Sequence, residues 1–223
     1  MVSRRLTAFV CAIALCITGT ALAPASSMAQ DPILFVHGWS ESSSLWSTMI
    51  KNFEKDGYPK SYLSAYSYNT STSNKTLAET EVKSRVEALK KATGAAKVDI
   101  IAHSMGSLNT RWYVKFVSGG EANVDDWVSL GGPNHGTDTA NFCFSAACTE
   151  MRVGSTFLAQ LNATDETPGA VNYGTWWSPC DEIINPDSSV ALSGATNTKT
   201  ACMSHTALTT DSTVYAQVRE FIK

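Results

Sequence analysis

A serine that is to attack a carbonyl carbon must stand proud of the surrounding backbone. The stretch Val98-Asp99-Ile100-Ile101-Ala102-His103-Ser104-Met105-Gly106 provides for this. An apolar run of strand type ends at His103 and a helical pattern starts at Ser104, so the serine sits on a strand-to-helix turn. Such a turn is tight enough that the positions two before and two after the serine must be small, and Ala102 and Gly106 meet that need. The turn lifts the hydroxyl above the sheet and aims the first amides of the helix at the reaction centre. The plain alternative is a serine that only caps a helix.

The elements around this turn alternate strand and helix, which is the pattern of a mostly parallel sheet covered on both faces. Ile33 to Val36 reads as a buried strand ending at His37-Gly38. Leu45, Trp46, Met49, Ile50 and Phe53 recur at helical spacing until Gly57. Tyr62 to Tyr68 is a second strand, nearer an edge. Thr76 and Glu79 form a capping box for a helix through Val82, Val86 and Leu89, closed by Gly94. The third strand is Val98 to Ala102, and the helix after Ser104 turns Leu108, Trp112 and Phe116 inward. Trp127 to Leu130 makes a fourth strand. Residues 131–154 show no period and read as loop, followed by a short helix around Thr156 to Leu161. Val171 to Trp177 and a segment within Val190 to Ala201 give two more strands. Asp211-Ser212 caps a last helix through Val214, Val218 and Phe221.

Three groups of residues carry a family likeness: Phe35-Val36-His37-Gly38-Trp39, then Ala102-His103-Ser104-Met105-Gly106 with Asn109 and Tyr113, and Gly131-Gly132-Pro133-Asn134-His135-Gly136. Through them the chain resembles the small bacterial lipases of the α/β-hydrolase fold, the minimal lipases of bacilli and their actinobacterial relatives, over nearly its whole mature length. Ala102 stands where the commoner pattern has glycine, a substitution the bacillus-type members share. The resemblance implies a minimal α/β-hydrolase fold of about six mostly parallel strands with helices on both faces. It also implies a serine ester hydrolase that needs no cofactor. The family's large mobile lids are missing, since the loop after the fourth strand is short, so strong interfacial activation is not expected.

Among the four histidines, His205 lies between the last strand and the last helix, where the fold's chain order of serine, acid and histidine requires the base. His135, in the loop after the fourth strand, is the alternative. His37 shapes the loop after the first strand, and His103 is a packed residue of the turn. The acid belongs after the penultimate strand, which points to Asp181, and family members place their acid in that loop. Asp187 reads as a turn residue. Backbone N–H groups of Met105 and Trp39 are expected to form the oxyanion hole. Phe142, Phe144, Met151, Phe157, Leu158, Trp176 and Leu208 are the apolar residues expected to bind the acyl chain. Activity should rise with pH through a histidine limb at roughly 6 to 7.5.

Arg4-Arg5, the apolar run from Leu6 to Ile17 and the small-residue stretch ending Ser27-Met28-Ala29 read as a secretory signal peptide over residues 1–29. Residues 30–223 are then the hydrolase domain. The apolar run is short for a retained membrane anchor. Loss of the leader removes two arginines and no acid, which moves the formal charge from −3 to −5. Such a balance attracts neither nucleic acid nor an anionic membrane. Cys143, Cys148, Cys180 and Cys202 remain in an exported chain, which suggests two disulfides. Three pairings exist, and the local one, Cys143 with Cys148 and Cys180 with Cys202, is the expectation. No C-x-x-C pair supports a zinc site, and no metal is expected.

The resulting expectation is a secreted, monomeric triacylglycerol lipase or carboxylesterase acting on a lipid or ester substrate at an interface. A cutinase-like or polyester hydrolase is the nearest alternative, and a non-catalytic binding protein of the same fold is the rival of another class.

Overall fold

The apolar run Ile33–Val36 forms β1, and Val98–His103 forms β3, both buried along their whole length. A computed structural model describes Met1 and residues 30–223; the expected leader otherwise lies outside the described residues. Between β1 and β3 come α1 (Ser47–Lys55), β2 (Leu63–Ala65), α2 (Asn74–Leu77), a single wide turn over Ala78–Val82, and α3 (Lys83–Thr93). After β3 follow α4 (Gly106–Phe116), α5 (Gly120–Asn123), β4 (Val124–Leu130), α6 (Ala146–Met151) and α7 (Thr156–Leu161). The chain closes with β5 (Asn172–Trp177), β6 (Thr196–Lys199) and α8 (Ser212–Phe221).

The six strands make one parallel sheet in the order β2-β1-β3-β4-β5-β6. Side chains alternate across it with period two. Leu34, Val36, Ile100 and Ala102 face a cluster built with Val86 of α3 and Leu108 and Trp112 of α4. Ile33, Phe35 and Ile101 face the opposite cluster, closed by Met49 and Phe53 of α1 and by Val214 and Val218 of α8. Burial on both faces explains why β1 and β3 read as continuous apolar runs rather than alternating ones.

Register fixes where function can sit. Val36 pairs with Ala102 and His103 with Leu130, while Leu130 pairs with Trp176 and Trp177 with Lys199. All strands run the same way, so the segments that follow them, with His37, Ser104, Gly131, Asp181 and His205, gather at the carboxyl edge of the sheet. Ligand sites of open parallel sheets lie at this edge.

Four local expectations are corrected. The cap before α2 is Ser73, whose hydroxyl accepts from the Thr76 amide, and Glu79 lies in the wide turn instead of opening the helix. Phe116 is 48% exposed, because it is the last residue of α4 and lies beside Trp112 at the surface. Strand β4 starts three residues before Trp127, at Val124, where Asp125 and Asp126 mask the apolar pattern. The segment 131–154 contains the 3-10 turn Asp138–Phe142 and α6, both too short to show a helical period. Among the described residues no helix is long and apolar enough to cross a membrane.

Candidate active site

Ser104 has φ +52°, a left-handed conformation that non-glycine residues rarely adopt. Its amide donates to Leu130 O at 2.9 Å, and its carbonyl accepts from the Ser107 amide at 3.0 Å, which holds the turn. Close approach dictates the glycines on either side. A Cβ at Gly106 would lie 2.6 Å from the carbonyl oxygens of both Val36 and His37, and one at Gly38 would lie 2.6 Å from Ser104 Cβ. The elbow is therefore wedged against the loop after β1.

His205 Nδ1 lies 2.8 Å from Asp181 Oδ2, with both side chains almost fully buried. The other carboxylate oxygen, Oδ1, accepts from the amides of Ile183 and Ile184 at 2.9 Å each. Burial alone would raise the Asp181 pKa, but the hydrogen bond and charge of His205 and these two amides outweigh it and hold the group below the usual carboxylate range. Burial lowers the His205 pKa, and the neighbouring His103 adds to that, against the opposing pull of Asp181. His205 Nε2 makes no hydrogen bond and shares a cleft with Ser104. His135, the alternative base, is held elsewhere, with Nε2 2.7 Å from Glu166 Oε1 and Nδ1 3.1 Å from Ser189 O. Asp187 opens the short turn Asp187–Val190.

The loops that carry Asp181 and His205 are fastened to one another three times. Cys180 and Cys202 are disulfide-bonded with Cα atoms 5.0 Å apart. Ser178 Oγ donates to Met203 O at 2.6 Å and accepts from its amide at 2.9 Å. The His205 amide donates to Glu182 Oε2 at 3.0 Å. Sequence reading anticipates the first tie and misses the other two, since a serine and a glutamate in a loop carry no signal of a partner more than 20 residues away.

Trp39 and Met105, whose amides are the expected oxyanion donors, stand on either side of the loop-elbow contact. Trp39 follows Gly38 in the loop after β1, is 43% exposed and borders the cleft, while Met105 is buried beneath the elbow. His37 stacks on Tyr68 with ring centroids 4.3 Å apart, and its Nδ1 lies 2.9 Å from Gly38 O. This ring braces the loop from below. Glu41, not anticipated, reaches back so that its Oε2 accepts from the Gly38 amide at 2.7 Å.

The cleft holds about 400 Å³. Of the seven residues expected to bind an acyl chain, Phe142 and Met151 line it. The other five do not. Phe144 is 86% exposed, outside the cleft. Phe157 packs its ring on Trp112 at 4.8 Å, and Leu158 lies in the core beside α4. Trp176 and Leu208 belong to the opposite cluster under α8, where the Trp176 indole N–H donates to Gln217. Apolarity marks a residue for burial without saying which face of the sheet receives it. Thr137, Thr139, Ala140, Ile183 and Ile184 complete the apolar wall. Cys143 also lines it and is disulfide-bonded to Cys148, with Cα atoms 5.7 Å apart, so both local pairings are present.

At the amino edge of the sheet, Asp31, Asp99 and Asp125 bring carboxylate oxygens within 4.8 Å of one another. Lys97 bonds Asp125 at 2.7 Å, and burial pushes the Asp99 carboxyl well above its ordinary range. Lys97 thus relieves part of the repulsion. The same hollow is bordered by Gln30 and Lys223.

Comparison with known proteins matches residues 30–220 to the family model described as lipase (class 2). The mature form of the Bacillus licheniformis lipase BlEst2 superposes with a TM-score of 0.77 at 17% identity, over 88% of this chain and 93% of that one. Aspergillus fumigatus lipase B gives 0.74 at 17% identity over 87% of this chain, which spans 54% of the fungal protein. The metagenomic carboxyl esterase MGS0156 gives 0.67 at 15% identity, over 84% of this chain and 68% of that one. At such identities the solved structures speak for the shared fold, whereas the family model covers almost all of the described residues. By that match the chain belongs to the class 2 lipase family and is, at that level, an ester hydrolase.

Proposed function

We propose that the protein is a secreted serine esterase of the lipase type, with Ser104 as nucleophile, His205 as general base and Asp181 as its orienting acid. The observation that carries this reading is the His205 to Asp181 hydrogen bond, which leaves Nε2 unpaired in the cleft that Ser104 enters on a strained turn.

Ser104 Oγ attacks the ester carbonyl carbon while its proton passes to His205 Nε2. Asp181 accepts from Nδ1, fixes the tautomer and stabilises the imidazolium. The amides of Met105 and Trp39 receive the negative charge of the tetrahedral intermediate. Collapse breaks the C–O bond to the alcohol, which takes the proton from His205. Water then repeats the sequence on the acyl-enzyme and releases the acid. The acyl chain lies along Phe142, Met151, Ile183 and Ile184.

Two disulfides suit an oxidising compartment, in keeping with export of the mature chain. The substrate is a carboxylic ester, triacylglycerols included, met as a monomer at the lipid–water boundary, with no nucleic acid, cofactor or membrane anchor involved.

Hydrolysis of p-nitrophenyl esters of graded acyl length and of emulsified triglyceride, with fluorophosphonate labelling, tests the reading. Labelling at Ser104 with turnover on ester is the expected result. A folded protein that neither labels nor hydrolyses any ester is a binding protein, and a preference for polyester films over both ester series makes it a polyester hydrolase.

A further inference from the structure

His103, expected to be a packed residue of the turn, is placed between two acceptors. Its Nδ1 lies 2.9 Å from Glu41 Oε2, and its Nε2 lies 3.1 Å from the main-chain oxygen of His205. The ring is fully buried, and the glutamate side chain is 18% exposed. A carbonyl oxygen accepts and never donates. A neutral imidazole has one N–H, so it cannot serve a carbonyl and a carboxylate together. Glu41 Oε2 also accepts from the Gly38 amide, as an ionised oxygen does.

The His103 and His205 rings lie 4.4 Å apart. Glu41 and His103 together thus touch three separate pieces of the site: the loop after β1, the elbow and the loop that carries His205.

We infer that Glu41 holds His103 as a doubly protonated imidazolium, and that His103 is a positioning residue which fixes His205 through its backbone while setting a positive charge beside its ring. The role at the base rests on the serine-esterase reading; the charge state of the ring does not. Glu41 is held below the ordinary glutamate range, where burial is opposed and outweighed by the bond and charge of His103 and by the Gly38 amide. The groups facing His103 are Glu41, His37 and His205. Those facing His205 are Asp181, Glu182, Glu41 and His103. Within this set the cation disfavours a second proton on His205 and so keeps the base neutral. Glu41 and Asp181 oppose it and limit the effect.

Ring ¹⁵N NMR of the folded mature enzyme reads the charge directly. Two protonated ring nitrogens on His103 at pH 7 are expected, reduced to one by Glu41→Gln. His103→Gln should lower kcat roughly tenfold or more with KM changed less than twofold, because the geometry of the base is lost while binding is kept. Its acid limb in kcat/KM should move to higher pH by about half a unit, since a neighbouring positive charge has gone. A role in packing alone leaves the limb where it was. A single ring proton on His103 in the wild type overturns the inference, as does a folded His103→Gln enzyme with an unmoved limb. If that variant does not fold, the wild-type spectrum decides. Two ring protons in a chain that hydrolyses no ester would remove the esterase reading and leave the charge assignment standing.

Discussion

His205 Nδ1 meets Asp181 Oδ2 at 2.8 Å, and the second oxygen of the same carboxylate is held by the amides of Ile183 and Ile184, two residues whose side chains line the cleft. The carboxylate proposed as the acid is therefore anchored by the wall of the cleft itself. Asp181→Asn keeps a side chain of the same shape but reverses the hydrogen bond to the imidazole. It is expected to lower kcat on the order of 10³- to 10⁴-fold with the fold intact. Ser104→Ala and His205→Ala should each cost at least as much, and the double variant little more than either. Steady-state kinetics with circular dichroism checks this; clearly additive losses would show that the two do not act as a unit.

The pH profile should differ from that of a free histidine. His205 must be neutral to take the serine proton, and burial lowers its pKa, so half-protonation occurs at a lower pH than in an exposed ring. The acid limb of kcat/KM is accordingly expected below about 6.5, the low side of the range that residue type alone suggests. A limb centred above 7 would contradict the burial argument.

The two disulfides should differ in weight. Cys180 and Cys202 are 22 apart in sequence and Cys143 and Cys148 are 5 apart, so the longer loop loses more unfolded-state entropy. Cys180→Ser with Cys202→Ser is expected to cost about 3 kcal/mol, the larger penalty of the two pairs. Ser178 and Glu182 still tie the same loops, so activity at room temperature should survive that change and fall sharply when Ser178→Ala is added. Thermal melts and initial rates separate the two effects.

Phe142 is 85% exposed at the cleft, so it supports no core and, on the proposed reading, meets the substrate. Phe142→Ser should leave the melting temperature within about 1 °C, as surface changes usually do. Hydrolysis of emulsified long-chain ester should drop severalfold, with little change on short soluble esters. Equal losses on both would show that the residue acts on the chemistry instead.

The acidic cluster at the amino edge makes a prediction about stability. Asp99 and Asp126 have pKa values raised by burial, Asp126 to about 6, above the ordinary 3.8. Between those values the folded state holds protons that the unfolded chain releases, so the stability these groups contribute is present at low pH and is lost as pH rises. Asp99→Asn still accepts from the Asp126 amide and should raise the melting temperature by a few degrees at pH 8, and by less at pH 5. A variant less stable at pH 8 would sink this account.

What was legible in the sequence followed from physics that acts locally. Continuous apolar runs gave away β1 and β3, and the small residues around Ser104 gave away the elbow. Strand β6, Thr196-Asn197-Thr198-Lys199, is polar and largely exposed, so it could be placed only within a broad segment. Chain order singled out Asp181 and His205, and the structure brings the two side chains into hydrogen-bond contact. Glu41 and Glu182 were out of reach, since each does its work by crossing to another loop. Trp176 and Leu208 were misplaced for the opposite reason, their apolar character being plain and their side of the sheet hidden.

Gln30 and Lys223 border one hollow at the amino edge of the sheet, while the cleft opens at the carboxyl edge. A linker, tag or solid support joined to Lys223 therefore leaves from the rear of the molecule, and substrate arrives at the front. A bridge between these two positions would span the amino edge alone and leave the cleft clear. The geometry thus lends this hydrolase to oriented attachment on a surface with its mouth turned outward.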